Sequence, residues 1–279
     1  MKRWLTGFGC LLLSGVALAA GSNEAYRHVK ASMLVSGDIE VAPDGSVMGY
    51  DLDHPSEIPM QVRHLLAKVV PAWKFEPVVV HGRPAIAKAS MSVRVLATPM
   101  DKDTFRLAIA AVHFGERDGK PAIKAVHERR PIYPSEAMRE HVTGTVYLVA
   151  RLDADGKVVD AAAQQVDLGT LSGSVQMKHW RDQLARASVR AAQSWLFSPA
   201  TAGAPAYRII RLPVTFNIRV NGFSTRVHYG QWDVYVPGPV EWIPWLDKRL
   251  ITGGVDAVPD GAIDQMGRGL HLLTPLKGA

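Results

Sequence analysis

The chain has ten histidines, and a metal centre is the first chemistry to ask of them. None stand in the H-x-x-x-H or H-E-x-x-H spacing that puts two imidazoles on one helix face toward a zinc ion. His54 and His64, the closest pair, fall in different elements, and His113 and His127 fall on different strands. Leu152–Lys157 reads LDADGK, which begins like a calcium loop. No glutamate closes it at the distance that a bidentate ligand needs, so it reads as a hairpin turn. Leu168–Val175, LGTLSGSV, sets Ser172 near glycines but not in the G-x-S-x-G order of a nucleophile elbow. It reads as a loop inserted before a helix. No glycine-rich phosphate cradle and no paired-carboxylate arrangement is present. The expectation is a chain that is not an enzyme and needs neither metal nor cofactor. An envelope enzyme with a site that its motifs do not announce is one alternative.

The N-terminus supplies an address. Lys2 and Arg3 precede an apolar run from Leu5 to Val16, followed by Ala17-Leu18-Ala19. This order of charge, apolar core and A-x-A site describes a secretory signal peptide, residues 1–19, cleaved after Ala19. The run falls short of the about 20 apolar residues that a spanning helix wants, so retention as an inner-membrane anchor is the lesser reading. Gly7-Phe8-Gly9 before Cys10 lacks the leucine-led box of a lipoprotein. Cleavage removes the single cysteine and two of the charges behind the formal +6. An exported, cysteine-free chain has no disulfides and must bury a real core, which 47% hydrophobic residues allow. The mild charge carries no basic stripe with interleaved aromatics, so nucleic acid is not an expected partner.

The elements that would position any site occur twice. Gly37–Leu52, GDIEVAPDGSVMGYDL, and Val146–Ala161, VYLVARLDADGKVVDA, each alternate apolar residues toward an Asp-Gly pair and away from it. Such a pattern predicts a β-hairpin, because glycine supplies the positive φ of a tight turn. Ile39, Val41 and Val47 match Ala150, Leu152 and Val158. A helical period follows in both copies: Val62, Leu65, Leu66, Val69 and Trp73, then Leu184, Ala187, Ala191 and Trp195. Each helix ends in W-x-F-x-P, at Trp73, Phe75 and Pro77 and at Trp195, Phe197 and Pro199, where proline stops any return to helix. A Gly-x-Pro turn then leads to a third strand, Ile86–Ala97 or Tyr207–Ile218. The unit of hairpin, helix and strand, about 70 residues long, indicates internal duplication.

With those residues in view, the second copy resembles the C-terminal domain of TonB-type energy transducers. The likeness rests on Tyr133-Pro134 before a short helix with Ala137 and Met138. It continues through Gly144 and Val146, Asp155-Gly156, the W-x-F-x-P corner, and the final Pro213, Val214 and Phe216. It spans Arg129 to Val220, and the first copy resembles the family more faintly, without the Tyr-Pro opening. The resemblance implies an α+β fold of two TonB C-terminal-like modules, each a small antiparallel sheet with helices packed on one face. It also implies binding without catalysis, in which the open edge of the last strand accepts an extended peptide. The partner-binding residues carried over are Tyr133, Pro134, Arg208, Ile210, Leu212, Val214, Phe216 and Ile218. The partner implied is an envelope protein or extended peptide, such as a segment of an outer-membrane transporter, with a homodimer as a further expectation.

The chain departs from the type member of that family in two ways. Residues 1–20 lack the Ser and His one turn apart that face a proton-channel partner, and residues 20–128 are not the Pro-rich spacer that would span the periplasm. A membrane-anchored energy transducer is therefore the alternative, and a free periplasmic binding protein the first expectation. The expected organisation is a signal peptide over 1–19, a degenerate repeat over 20–98 and a connecting hairpin over 99–128. A TonB C-terminal-like domain over 129–220 and an arm over 221–279 complete it. The arm holds Trp232, Tyr235, Trp242 and Trp245, and it is expected to pack across both repeats and bury its rings.

Overall fold

The computed structural model describes residues 29–100, 104–116, 123–201, 205–220, 223–250 and 254–276. The proposed signal peptide lies outside these. No helix among the described residues is long and apolar enough to cross a membrane. The fold is α+β with antiparallel sheets.

The first unit pairs β1 (Lys30–Val41) with β2 (Val47–Leu52) across the Asp44-Gly45 turn. Helix α1 (Met60–Val69) and a 3-10 turn (Val70–Ala72) follow. A small hairpin of β3 (Val79–Val80) and β4 (Arg83–Pro84) then leads to β5 (Ala87–Pro99), which returns beside β1. A fourth strand, β6 (Phe105–Glu116), extends the sheet beyond β5. The second unit begins at β7 (Ala125–His127) and α2 (Ser135–Arg139). It pairs β8 (Gly144–Leu152) with β9 (Val158–Leu168), then carries α3 (Ser174–Ala192), β10 (Leu196–Phe197) and β11 (Arg208–Phe216) beside β8. Short β12 (Arg219–Val220) and β13 (Phe223–Ser224) open the arm, which later supplies β14 (Asp233–Tyr235) and β15 (Asp264–Gln265).

The two units match in detail. Strand order is β2-β1-β5 in one and β9-β8-β11 in the other. Val35 faces Val93 and Val146 faces Val214, as the sequence alignment requires. The hairpins share a register shift at equivalent places, between Glu40 and Val41 and between Arg151 and Leu152. Phe75 donates its N–H to the Gly45 carbonyl at 2.8 Å, and Phe197 to the Gly156 carbonyl at 2.9 Å. Those glycines have φ of 81° and 86°. A Cβ there would sit 2.0 or 2.1 Å from the same phenylalanine's carbonyl oxygen. Glycine is therefore required twice over, by conformation and by close approach. Trp73 and Phe75 meet edge to face at 6.4 Å, as do Trp195 and Phe197. All four rings are buried, at roughly 1.5–3 kcal/mol of transfer free energy each.

Among the described residues of 99–128, β6 and β7 do not pair with each other as the expected hairpin. β6 buries Ile109, Val112 and Phe114 in the first core, where Phe114 stacks edge to face on Trp73 and Phe75. β7 instead pairs with β10 in the second unit. The apolar alternation of β6 is satisfied by the first core, so the connection divides between the units.

Helices pack on one face of each sheet, and on the opposite faces Arg94 of β5 reaches Tyr147 of β8. The arm stitches them. β14 pairs with Lys30–Ser32 of β1, and the next residue, Val236, exchanges both backbone hydrogen bonds with Leu168 of β9. Ile243 and Leu246 then pack on Val149, and the chain returns to the first unit where Leu273 donates to the Lys74 carbonyl at 2.8 Å. The expected packing of the arm holds for Tyr235, which is buried, but not for Trp242, which is 65% exposed.

Candidate functional site

The eight residues carried over from the family resemblance gather at the opening and last strand of the second unit. Their side chains are mostly committed to its core. Ile210, Leu212, Val214 and Phe216 are buried beneath α3. The Tyr133 ring packs edge to face on Phe216 at 5.2 Å, and its hydroxyl donates to the Val142 carbonyl. Burial pushes that hydroxyl's pKa up to about 12. Pro134 sets the start of α2, and Arg208 donates to the Ser198 carbonyl at 2.7 Å. Ile218 donates to Thr225 Oγ1 at 3.1 Å just past the strand. These side chains build the module, and only backbone groups of β11 remain for a partner.

The outer edge of β11 is also not open, which corrects the expectation of a free last strand. β15 pairs with Ile210 and Arg211, and Met266 donates to the Ile209 carbonyl at 2.9 Å. In an antiparallel ladder every second residue turns its backbone to one side. Ile209 faces the arm, so Arg211, Pro213 and Thr215 do too. Pro213 has no N–H to offer there, which is the only orientation a strand proline tolerates without breaking the inner ladder. The edge of β9 carries the arm as well, through Leu168 and through Glu241, which donates to the Gln164 carbonyl at 2.7 Å.

β6 differs. Its inner edge is paired with β5 from Phe105 to Glu116, and on its outer edge no described residue forms a backbone hydrogen bond. A register shift opposite Arg94 and Val95 leaves Ala110 as a bulge. Gly269 passes so close to Phe114 that a Cβ would lie 2.3 Å from the Phe114 carbonyl oxygen. The regular open stretch is therefore Phe105–Ile109, with Arg106 exposed on it.

Between the units lies a polar layer that the sequence pattern did not announce. Arg94, flanked by the core residues Val93 and Val95, turns its side chain to the opposite face and is 7% exposed. Its guanidinium donates to Asp256 O and to Ser32 Oγ, both at 2.7 Å, and reaches Tyr147 Oη at 3.4 Å. Asp256 Oδ2 is 3.3 Å from Arg94 Nε and accepts from Tyr235 Oη at 3.1 Å. Burial opposes the Arg94 charge, but Tyr147, Asp256, Tyr235 and Asp233 outweigh it and hold the group above its ordinary pKa. Burial pushes Asp167 up to about 6, against hydrogen bonds from the Gln165 amide and the Gly238 N–H. A cleft of about 290 Å³ borders this layer beside Tyr147, Asp167 and Thr215. A second, of about 540 Å³, lies beside His113, Asp264 and Gly269. Among the described residues no three metal-ligating side chains gather.

Sequence reasoning missed Arg94, because an outward position in a strand reads as solvated, and it missed Asp260, Asp264 and Met266. Near the last three, Pro259–Met266, PDGAIDQM, offers a Pro-Asp-Gly turn signal but no alternation. No family model, curated protein or solved structure matches the chain.

Proposed function

We propose that this chain is an exported envelope protein that binds an extended segment of another envelope protein, without catalysis, by adding it as a strand beside β6. The observation that carries the reading is the outer edge of β6, on which no described residue forms a backbone hydrogen bond, whereas the arm covers the edges of β9 and β11. The resemblance of the second unit to a peptide-binding module, with its duplicated architecture, supports the class of partner. An added strand over Phe105–Ile109 gains backbone hydrogen bonds of about 0.5–1.5 kcal/mol net each. That suits a transient contact with specificity from side chains at alternate positions.

A photo-cross-linking residue at Arg106, with a control at exposed Val175 on α3, tests this in cells. Cross-links from position 106 should map to one extended segment of an envelope protein and be absent from position 175. Equal products from both positions would remove the proposal. Cross-links from 106 to β6 of a second copy would replace the partner with self-association.

A further inference from the structure

The cleft beside Tyr147 and Thr215 is lined by two carboxyl groups that the fold leaves with unused acceptors. Asp167, on β9, is 4% exposed. Its Oδ1 accepts from the Gln165 amide at 2.8 Å and from the Gly238 N–H at 3.0 Å. Among the described residues nothing donates to its Oδ2. Asp233 lines the same cleft from β14, on the edge of the first sheet. No described residue donates a hydrogen bond to its carboxyl or forms a salt bridge with it. Burial raises the pKa of both groups, that of Asp167 to about 6.

The cations nearby are already committed. Arg94 donates from each of its three nitrogens, to Asp256 O, Ser32 Oγ and Tyr147 Oη. Arg226 pairs with Asp260 at 3.6 Å, and both line the cleft together with His228. Arg181 acts on Asp167 from α3, but its N–H groups go to the Val166, Val236 and Pro237 carbonyls. An ionised carboxylate accepts and cannot donate, so the capacity left over calls for a donor. A positively charged donor suits it best, because a buried charge is stable only when paired and hydrogen-bonded. Tyr147, Tyr229 and Tyr235 add ring surface on which an alkyl chain can pack. At about 290 Å³ the cleft is near the lower end of small-molecule sites.

We propose that this cleft binds a small alkylamine in its ammonium form, with Asp167 Oδ2 and the Asp233 carboxylate accepting its N–H groups. The site draws one carboxylate from the second sheet and the other from the arm strand on the first, so a bound amine ties the two units together. It does not rest on strand addition at β6.

Calorimetric titration of the full chain with putrescine at neutral pH tests this, with butanediol as its neutral twin. Putrescine should bind and butanediol should not. Tetramethylammonium, which has the charge but no N–H, should bind at least tenfold more weakly. Asp167→Asn and Asp233→Asn should each weaken putrescine at least tenfold. Asp182→Asn, on the exposed side of α3 beside Lys178, should leave it unchanged. Should either cleft variant fold poorly, the wild-type chain decides the matter. Under saturating putrescine the Asp167 pKa, followed by carboxyl-carbon NMR, should fall from about 6 toward the ordinary value of about 4. Absence of putrescine binding, equal affinities in the Asp167 and Asp182 variants, tetramethylammonium binding as tightly as putrescine, or an unmoved Asp167 titration would each overturn the proposal. An acetylated lysine amide that binds tenfold more tightly than putrescine would also overturn it, making the occupant a protein side chain.

Discussion

Arg94 joins the first unit, the second unit and the arm through one guanidinium, so Arg94→Met should weaken the whole body. Truncation leaves the Asp256 carboxylate, Ser32 Oγ and Tyr147 Oη without their shared donor. Breaking a buried ion pair by removing one partner costs about 3–5 kcal/mol, chiefly because the other charge stays buried. The Asp256 side chain is 18% exposed, so water can reach it, and the lower end, about 3 kcal/mol, applies. Urea unfolding followed by tryptophan fluorescence measures this, since rings from both cores report together. Adding Asp256→Asn removes the stranded charge, and the double variant should recover about 1–2 kcal/mol of the loss. Arg94→Met within 1 kcal/mol of wild type, or a double variant whose losses simply add, would refute this account of the layer.

Two further predictions concern the repeat and the same polar layer. Gly45→Ala and Gly156→Ala should each destabilise by about 2–3 kcal/mol. The left-handed φ contributes about 1–2 kcal/mol, and loss of the Phe75 or Phe197 hydrogen bond about 1 kcal/mol more. Gly82→Ala, with φ 77° but nothing within 4 Å of its Cβ, should show the conformational part alone; equal losses at all three would remove the proposed corner contact. Asp167→Asn tests burial of a carboxyl whose folded pKa, about 6, exceeds the 3.8 of a free aspartate. The folded state then binds more protons than the unfolded state between these values. Wild-type stability should therefore fall as pH rises from about 4 to about 6, by up to roughly 3 kcal/mol. The Asn variant should lack this slope in chemical denaturation, and an identical pH profile would contradict the assignment.

The hairpins and the W-x-F-x-P corners were legible because their causes are local. Gly45 and Gly156 announce themselves by the turn they must make, and Trp73 and Trp195 by the helical period they close. The amphipathic stripe of α3 likewise named Leu184 and Ala187 as core, and both are buried. What was not legible depends on which surface lies opposite. Arg94 occupies an outward strand position, and only the second sheet and the arm make it a buried charge. β6 showed its alternation but not its neighbour, so it was read as half of a hairpin with the residues that became β7. β11 was rightly read as the last strand of its unit. Its cover, β15, has two residues, too few to carry a period, and it arrives from far along the chain. The candidate site therefore moved from the strand that resembles a peptide-binding edge to β6, on whose outer edge no described residue forms a backbone hydrogen bond.

Residue-resolved amide exchange of the full chain, with and without a synthetic copy of the segment recovered by cross-linking at Arg106, tests strand addition to β6 most directly. An antiparallel or parallel strand laid beside β6 must protect every second amide between Phe105 and Ile109, while the alternate amides, already bonded to β5, stay unchanged. That alternation is the predicted result. Exchange that is unaltered along β6, or protection confined to the helical faces of either unit, would contradict it.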